Sequence, residues 1–229
     1  MFWIDPVYFW YVFIPTLLIS IGVQVYLKST VAKWSQVKNG SNEYGVQVVK
    51  QIFERTDLQP IPVEKVAGEM SDHFDPHHNV VRLSDTTAGK NSVAAMAIAA
   101  HELGHVQQYQ TGSGLIGLRN FLLPALQFSP TISYIAIFFG LWFNMTNLMW
   151  IGILFFGLMV LFSVLTLPVV IDASKRALKL LDEAGLLTTD QDRSGAKAVL
   201  TAAGLTYLAA AVTSVLQLLY YISLAKRQG

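Results

Sequence analysis

The stretch Val93–Gln110, "VAAMAIAAHELGHVQQYQ", decides how the rest of the chain is read. It opens on a continuous apolar run suited to the buried core of a folded domain, and a helix is expected from Asn91 to Gln110. Asn91 or Ser92 can cap its start, and Gly112 can end it. Inside it stand His101, Glu102 and His105. Residues four apart share a helix face, so His101 and His105 can chelate one ion. Glu102 sits one residue along and can take a proton from a metal-activated water without being a ligand. The pattern thus supplies two ligands and a base. The plainer account is a pair of buried histidines hydrogen-bonded within a helix bundle; the intact motif and the helix that carries it favour the metal.

The surrounding composition is that of a membrane protein. Of 229 residues, 53% are hydrophobic and 14% charged, too apolar for an ordinary soluble domain and too long for a bare anchor. A net charge of +1 gives no general attraction to nucleic acid. The chain has no cysteine, so any zinc must be held by His, Asp or Glu.

Upstream of the motif, residues 7–27 carry no charge and are long enough to cross a bilayer core of ~30 Å as a helix. Phe2, Trp3, Tyr8, Phe9, Trp10 and Tyr11 cluster at its start like an interfacial belt. No basic residue precedes the run and no small-residue cleavage site follows it, so it reads as a retained transmembrane helix rather than a signal peptide. Residues 28–120 mix charges of both signs with turn residues and read as a small soluble domain. "GVQVVKQIFERT" has helical spacing, "IPVEKV" and "NVVRLSD" read as strands, and "SDHFDPHHN" reads as a turn. Val80–Leu83 is expected as an edge strand against which an extended peptide can pair.

Downstream, apolar runs at 121–143, 148–171 and 198–224 complete four crossings. Pro124 and Pro130 predict a kink or late start in the first of these. Residues 172–197 read as an amphipathic helix ending near Gly185 and then a polar loop. Residues 28–120 hold nine Lys and Arg and residues 172–197 hold five, against Lys226 and Arg227 alone on the other side. The positive-inside rule therefore puts both polar segments, and the motif, in the cytoplasm.

A catalytic zinc also needs a third protein ligand. The first polar segment offers His73, His77, His78, Asp72 and Asp75; the second offers Asp172, Asp182 and Glu183. Spacing does not choose among them. For Asp72 and Asp75 the alternative role is holding backbone N–H groups in a turn.

Four separated stretches, "SDHFDPHHNVVRLSD", "VAAMAIAAHELGHVQQYQ", "TLPVVIDASKRAL" and "AVLTAAGLTYLAAAV", make the chain resemble the YugP-type neutral zinc metallopeptidases of bacterial membranes. That family is gluzincin-like and distantly similar to the HtpX and CAAX-protease type. The resemblance implies a mainly α integral membrane fold, with about four transmembrane helices and a small α+β zinc-metallopeptidase domain carrying the H-E-x-x-H helix. It also implies a Zn2+ cofactor. In the family the position of Val170 often carries a glutamate, the natural third ligand; valine cannot bind zinc. Either Asp172, two residues on, supplies the carboxylate, or the full site is lacking. Asp172 also has a structural role open to it, since it follows Pro168 and stands four residues before Arg176.

The expected function is a membrane-embedded zinc endopeptidase, with metal ligands His101, His105 and Asp172, Glu102 as general base, and a peptide or membrane protein as substrate. The bilayer and a regulatory or adaptor membrane protein are the further expected partners. The rival is an adaptor or pseudo-peptidase that keeps the fold and binds a partner protein. A transporter is disfavoured because the membrane runs contain almost no ionisable residues.

Overall fold

The computed structural model describes residues 5–228; Phe2 and Trp3 of the expected aromatic belt lie outside them. In chain order the elements are α1 (Pro6–Ser35), α2 (Gly45–Arg55), β1 (Val63–Val66), β2 (His73–Asp75), β3 (Val80–Ser84), α3 (Asp85–Ala88), α4 (Val93–Gln110), α5 (Gly114–Trp142), α6 (Thr146–Glu183) and α7 (Asp190–Gln228). Helix α1, the Phe121–Trp142 part of α5, α6 and α7 are each long and apolar enough to cross a bilayer. The chain is a mainly helical integral membrane protein with one small sheet.

It divides into two compact units. The first comprises the chain up to Gln24, Gly117–Pro168, and the chain from Thr206. Its helices turn large apolar side chains outward, Leu18, Phe121 and Leu154 being 65%, 78% and 67% exposed. In water that surface would be costly; in lipid it is the expected finish for a helix. Ile137, Met149, Ile153 and Ala225 pack together inside. Asp5 accepts hydrogen bonds from Tyr220 Oη (3.1 Å) and Arg227 Nη1 (3.4 Å), tying the start of the first helix to the end of the last.

The second unit comprises Val25–Ile116 and Val169–Leu205 and contains the motif. Its core joins Val48, Val49 and Ile52 of α2, Val81 and Leu83 of β3, the Val93–Val106 face of α4, Leu180 and Leu181 of α6, and Val199 and Leu200 of α7. Helix α4 begins where expected: Ser92 Oγ accepts from Ala95 N–H, and Gly112 follows its end at φ +63°. Gly104 lets α6 approach closely, since a Cβ there would fall 2.2 Å from the Ala173 carbonyl oxygen.

The sheet runs in the order β1-β3-β2, with β1 parallel and β2 antiparallel to β3. Val80–Leu83 is therefore the central strand, not the edge expected from its sequence. Val80, Val81 and Leu83 are all buried, the signature of a strand covered on both faces. "SDHFDPHHN" is not all turn either. His73–Asp75 pairs with Val80–Arg82, and the carboxylates of Asp72 just before it and Asp75 at its end hold it in place. Asp72 accepts from Ser84 N–H (2.8 Å) and Ser84 Oγ–H (3.1 Å). Asp75 accepts from the His77 and His78 N–H groups and from Arg82.

Three helix boundaries also differ from expectation. Helix α5 starts at Gly114, ahead of the apolar run. The expected break after Ile171 is absent, and α6 continues unbroken through Pro168 to Glu183, with Gly185 at φ +67° behind it. The polar loop is short, because Thr189 and Asp192 cap the start of α7 reciprocally. Asp192 N–H donates to Thr189 Oγ1 (3.1 Å) and Thr189 N–H to Asp192 Oδ2 (2.9 Å).

Candidate metal centre

The His101 and His105 rings meet edge to face with centroids 4.9 Å apart, as two side chains one helical turn apart should. Burial of the His101 ring, with His105 beside it, pushes its pKa down to about 3, so the imidazole is neutral and its lone pair available to a metal. Its Nδ1 lies 3.4 Å from Ser174 Oγ on α6. His105 Nδ1 lies 3.0 Å from Gln108 Oε1.

Glu102 is buried, and its Oε2 accepts a hydrogen bond from the Phe74 N–H of β2 at 2.9 Å. Burial, reinforced by the negative charge of Asp72, pushes its pKa up to about 8, while the Phe74 N–H works against the rise. A buried carboxyl with a pKa near neutral is suited to gaining and losing a proton.

The expected ligands do not gather into one cluster. Among the described residues no three His, Asp or Glu side chains stand close enough together to hold a metal ion. Asp172 Oδ2 accepts from Gln108 Nε2 (2.7 Å) and from Arg176 Nε (2.7 Å). Val170, where the resemblance calls for glutamate, is 2% exposed. Ser174 lies one turn further along α6 and reaches His101, so position 170 shares the helix face that meets α4.

The other candidates are placed elsewhere. His73 is exposed, and its Nδ1 donates to the Ser71 carbonyl. The neighbouring Phe74 ring packs on Tyr109 of α4 at 5.5 Å, so alternation along the strand turns His73 away from that helix. Asp72 and Asp75 are occupied with the backbone and Arg82 as described, and Arg82 and His78 hold the Asp75 carboxyl well below the ordinary carboxylate range. His78 bonds Asp75 Oδ2 at 2.7 Å. Asp182 pairs with Arg193 and Glu183 with Lys179.

Two residues that matter to this arrangement escaped the sequence reading: Gln108 and Ser174. Gln108 stood at the right spacing, three residues after His105 and seven after His101, which puts a buried amide on the histidine face. Nothing local marked Ser174.

The donor set fits half of a zinc shell. Two imidazoles one turn apart on one helix face, with a buried carboxyl between them in sequence, suit zinc; the third protein ligand is not in place at Asp172. The comparisons agree with the coarser part of this. Residues 9–226 match the model of a family described as "putative neutral zinc metallopeptidase".

The chain belongs to that family.

A family relative, described as "Putative membrane protease YugP" from Bacillus subtilis (strain 168), is 34% identical over 209 residues, covering 91% of this chain and 92% of the relative. No solved structure matches.

Proposed function

We propose that this family member is a membrane-embedded zinc endopeptidase with Glu102 as its general base. The observation that carries the reading is geometric: the Glu102 carboxyl is buried and fixed on the Phe74 amide, on the same helix as two histidines at chelating spacing. His101 and His105 would hold the ion; Asp172, the expected third ligand, would have to leave Gln108 and Arg176 to join them. Zinc, when bound, supplies Lewis-acid activation of water and of the scissile carbonyl. The chain's own part is proton handling. Glu102 takes a proton from the attacking water and delivers it to the amine nitrogen as the C–N bond breaks. The site lies in the unit carrying most of the Lys and Arg, which supports a cytoplasmic face and membrane-anchored or cytoplasmic peptide substrates.

The test is zinc analysis together with peptide hydrolysis by purified protein. Glu102→Gln should retain zinc and lose ~10²-fold or more in turnover, and His101→Ala should lose the metal. Near-normal turnover by Glu102→Gln would overturn the mechanism. The buried Val170 favours one other reading, a pseudo-peptidase that binds a partner protein; parent protein with neither zinc nor hydrolysis would support it.

A further inference from the structure

Gln108 is wholly buried, with both ends of its amide in use. Nε2 faces the Val169 carbonyl (2.9 Å) and Asp172 Oδ2 (2.7 Å), and neither of these atoms can donate at neutral pH. The NH2 end must therefore point to α6, which turns Oε1 toward His105. Oε1 is an acceptor only, so the His105 atom 3.0 Å away, Nδ1, must carry the hydrogen. A neutral imidazole protonated at Nδ1 presents its lone pair at Nε2. The Ser174 hydroxyl beside His101 can donate or accept, and so fixes nothing comparable.

We propose that Gln108 sets the tautomer of His105 so that Nε2 is its metal-ligating atom, and that Asp172 acts on the metal through Gln108 rather than by binding it. The inference rests on the zinc reading above. Asp172 Oδ2 receives Gln108 Nε2 and Arg176 Nε together, so one oxygen aligns the amide and is itself held by the guanidinium. Arg176 Nη1 also reaches Gln107 Oε1 at 3.3 Å, giving the guanidinium a second hold on α4. Such outer partners of ligating histidines typically govern metal affinity by 10–100-fold.

The first test is 15N NMR of histidine-labelled, metal-free full-length protein, with the His105 signal assigned by its loss in His105→Gln. The Nδ1–H tautomer is expected; the Nε2–H tautomer overturns the proposal. The second is zinc titration against a competing chelator. Gln108→Met, which keeps the volume and removes the hydrogen bonds, should weaken zinc by ~10–100-fold, and unchanged affinity overturns the proposal. Asp172→Asn still offers one oxygen to Gln108 and Arg176, so it should stay within about threefold of the parent while Asp172→Ala loses about tenfold. Equal, severe losses in both Asp172 variants overturn the proposal in favour of direct ligation. If Gln108→Met does not fold, the parent NMR measurement and the Asp172 pair still decide. None of these readouts needs a substrate. A protein that binds zinc and cleaves nothing would therefore sink the peptidase reading and leave this one standing.

Discussion

Glu102 Oε2 receives the Phe74 N–H at 2.9 Å, joining the motif helix to the edge strand β2 of the sheet. In an antiparallel pair, alternate residues turn their N–H groups toward and away from the neighbouring strand. The Phe74 N–H points away from β3, so the one backbone donor at the middle of this free edge is spent on the carboxyl assigned as base.

The strained ionisation of Glu102 should be visible as stability. In the unfolded chain the carboxyl titrates near 4.5, in the fold near 8. Below pH 4.5 both states are protonated and the group costs nothing. Between the two values the unfolded chain releases its proton and the folded protein keeps it, so stability falls as pH rises, and the deficit is complete above pH 8. Glu102→Gln cannot ionise. Metal-free Glu102→Gln should match the parent Tm at pH 4 and exceed it by at least ~5 °C at pH 8.5. A constant difference across that range would show that Glu102 does not titrate as described.

Asp75 should give the opposite slope. Its folded value is depressed by Arg82 and His78, so its contribution is present above the ordinary carboxylate value of 3.8 and lost as pH falls below it. Asp75→Asn should lower Tm by a small, constant amount at pH 5 and above, and the two curves should converge toward pH 2. The expected size is modest, because the partners stand near solvent.

Val170→Glu places a carboxylate at a core position on the α6 face that meets the histidines. Without metal it should destabilise the fold, as an unpaired buried carboxyl does. With zinc it should raise metal affinity by ~10-fold or more and enlarge the Tm gain on adding zinc. Unchanged affinity would remove position 170 from the shell.

Orientation is checked by labelling. The chain has no cysteine, so single cysteines at Lys50 and Gln191, both exposed, give clean signals. Both should resist a membrane-impermeant thiol reagent in intact cells and react after lysis. Labelling of either from outside would reverse the assignment made from the Lys and Arg distribution.

The membrane helices and the motif helix were legible because each is written in a local code. Length and apolarity mark the spans, and Ser92, the i, i+4 histidines and Gly112 mark α4. What was illegible depended on partners distant in sequence. Val80–Leu83 is central only because β1 and β2 flank it on opposite sides, and three residues of "SDHFDP" became a strand because Val80–Arg82 lay opposite. Pro168 argued for a helix start, but a proline inside a long apolar helix is tolerated when its surroundings satisfy the freed backbone. The roles open to Asp172 could not be separated from sequence, because Gln108, the residue that engages it, lies 64 positions away.

Written as H-E-x-x-H, the motif leaves two letters blank, yet this chain fills neither freely. Leu103 is wholly buried in the core, and Gly104 lies under the Ala173 carbonyl, where the absence of a single carbon sets the spacing of two helices. The letter next to His105 is thus dictated by the neighbouring helix and not by any ion. A methyl group added at 104 would delete no donor atom, and yet it would force apart the helix bearing the imidazoles and the helix bearing Val170, Asp172 and Ser174. In this fold the spacing of the two helices can be lost through a residue that has no chemistry at all.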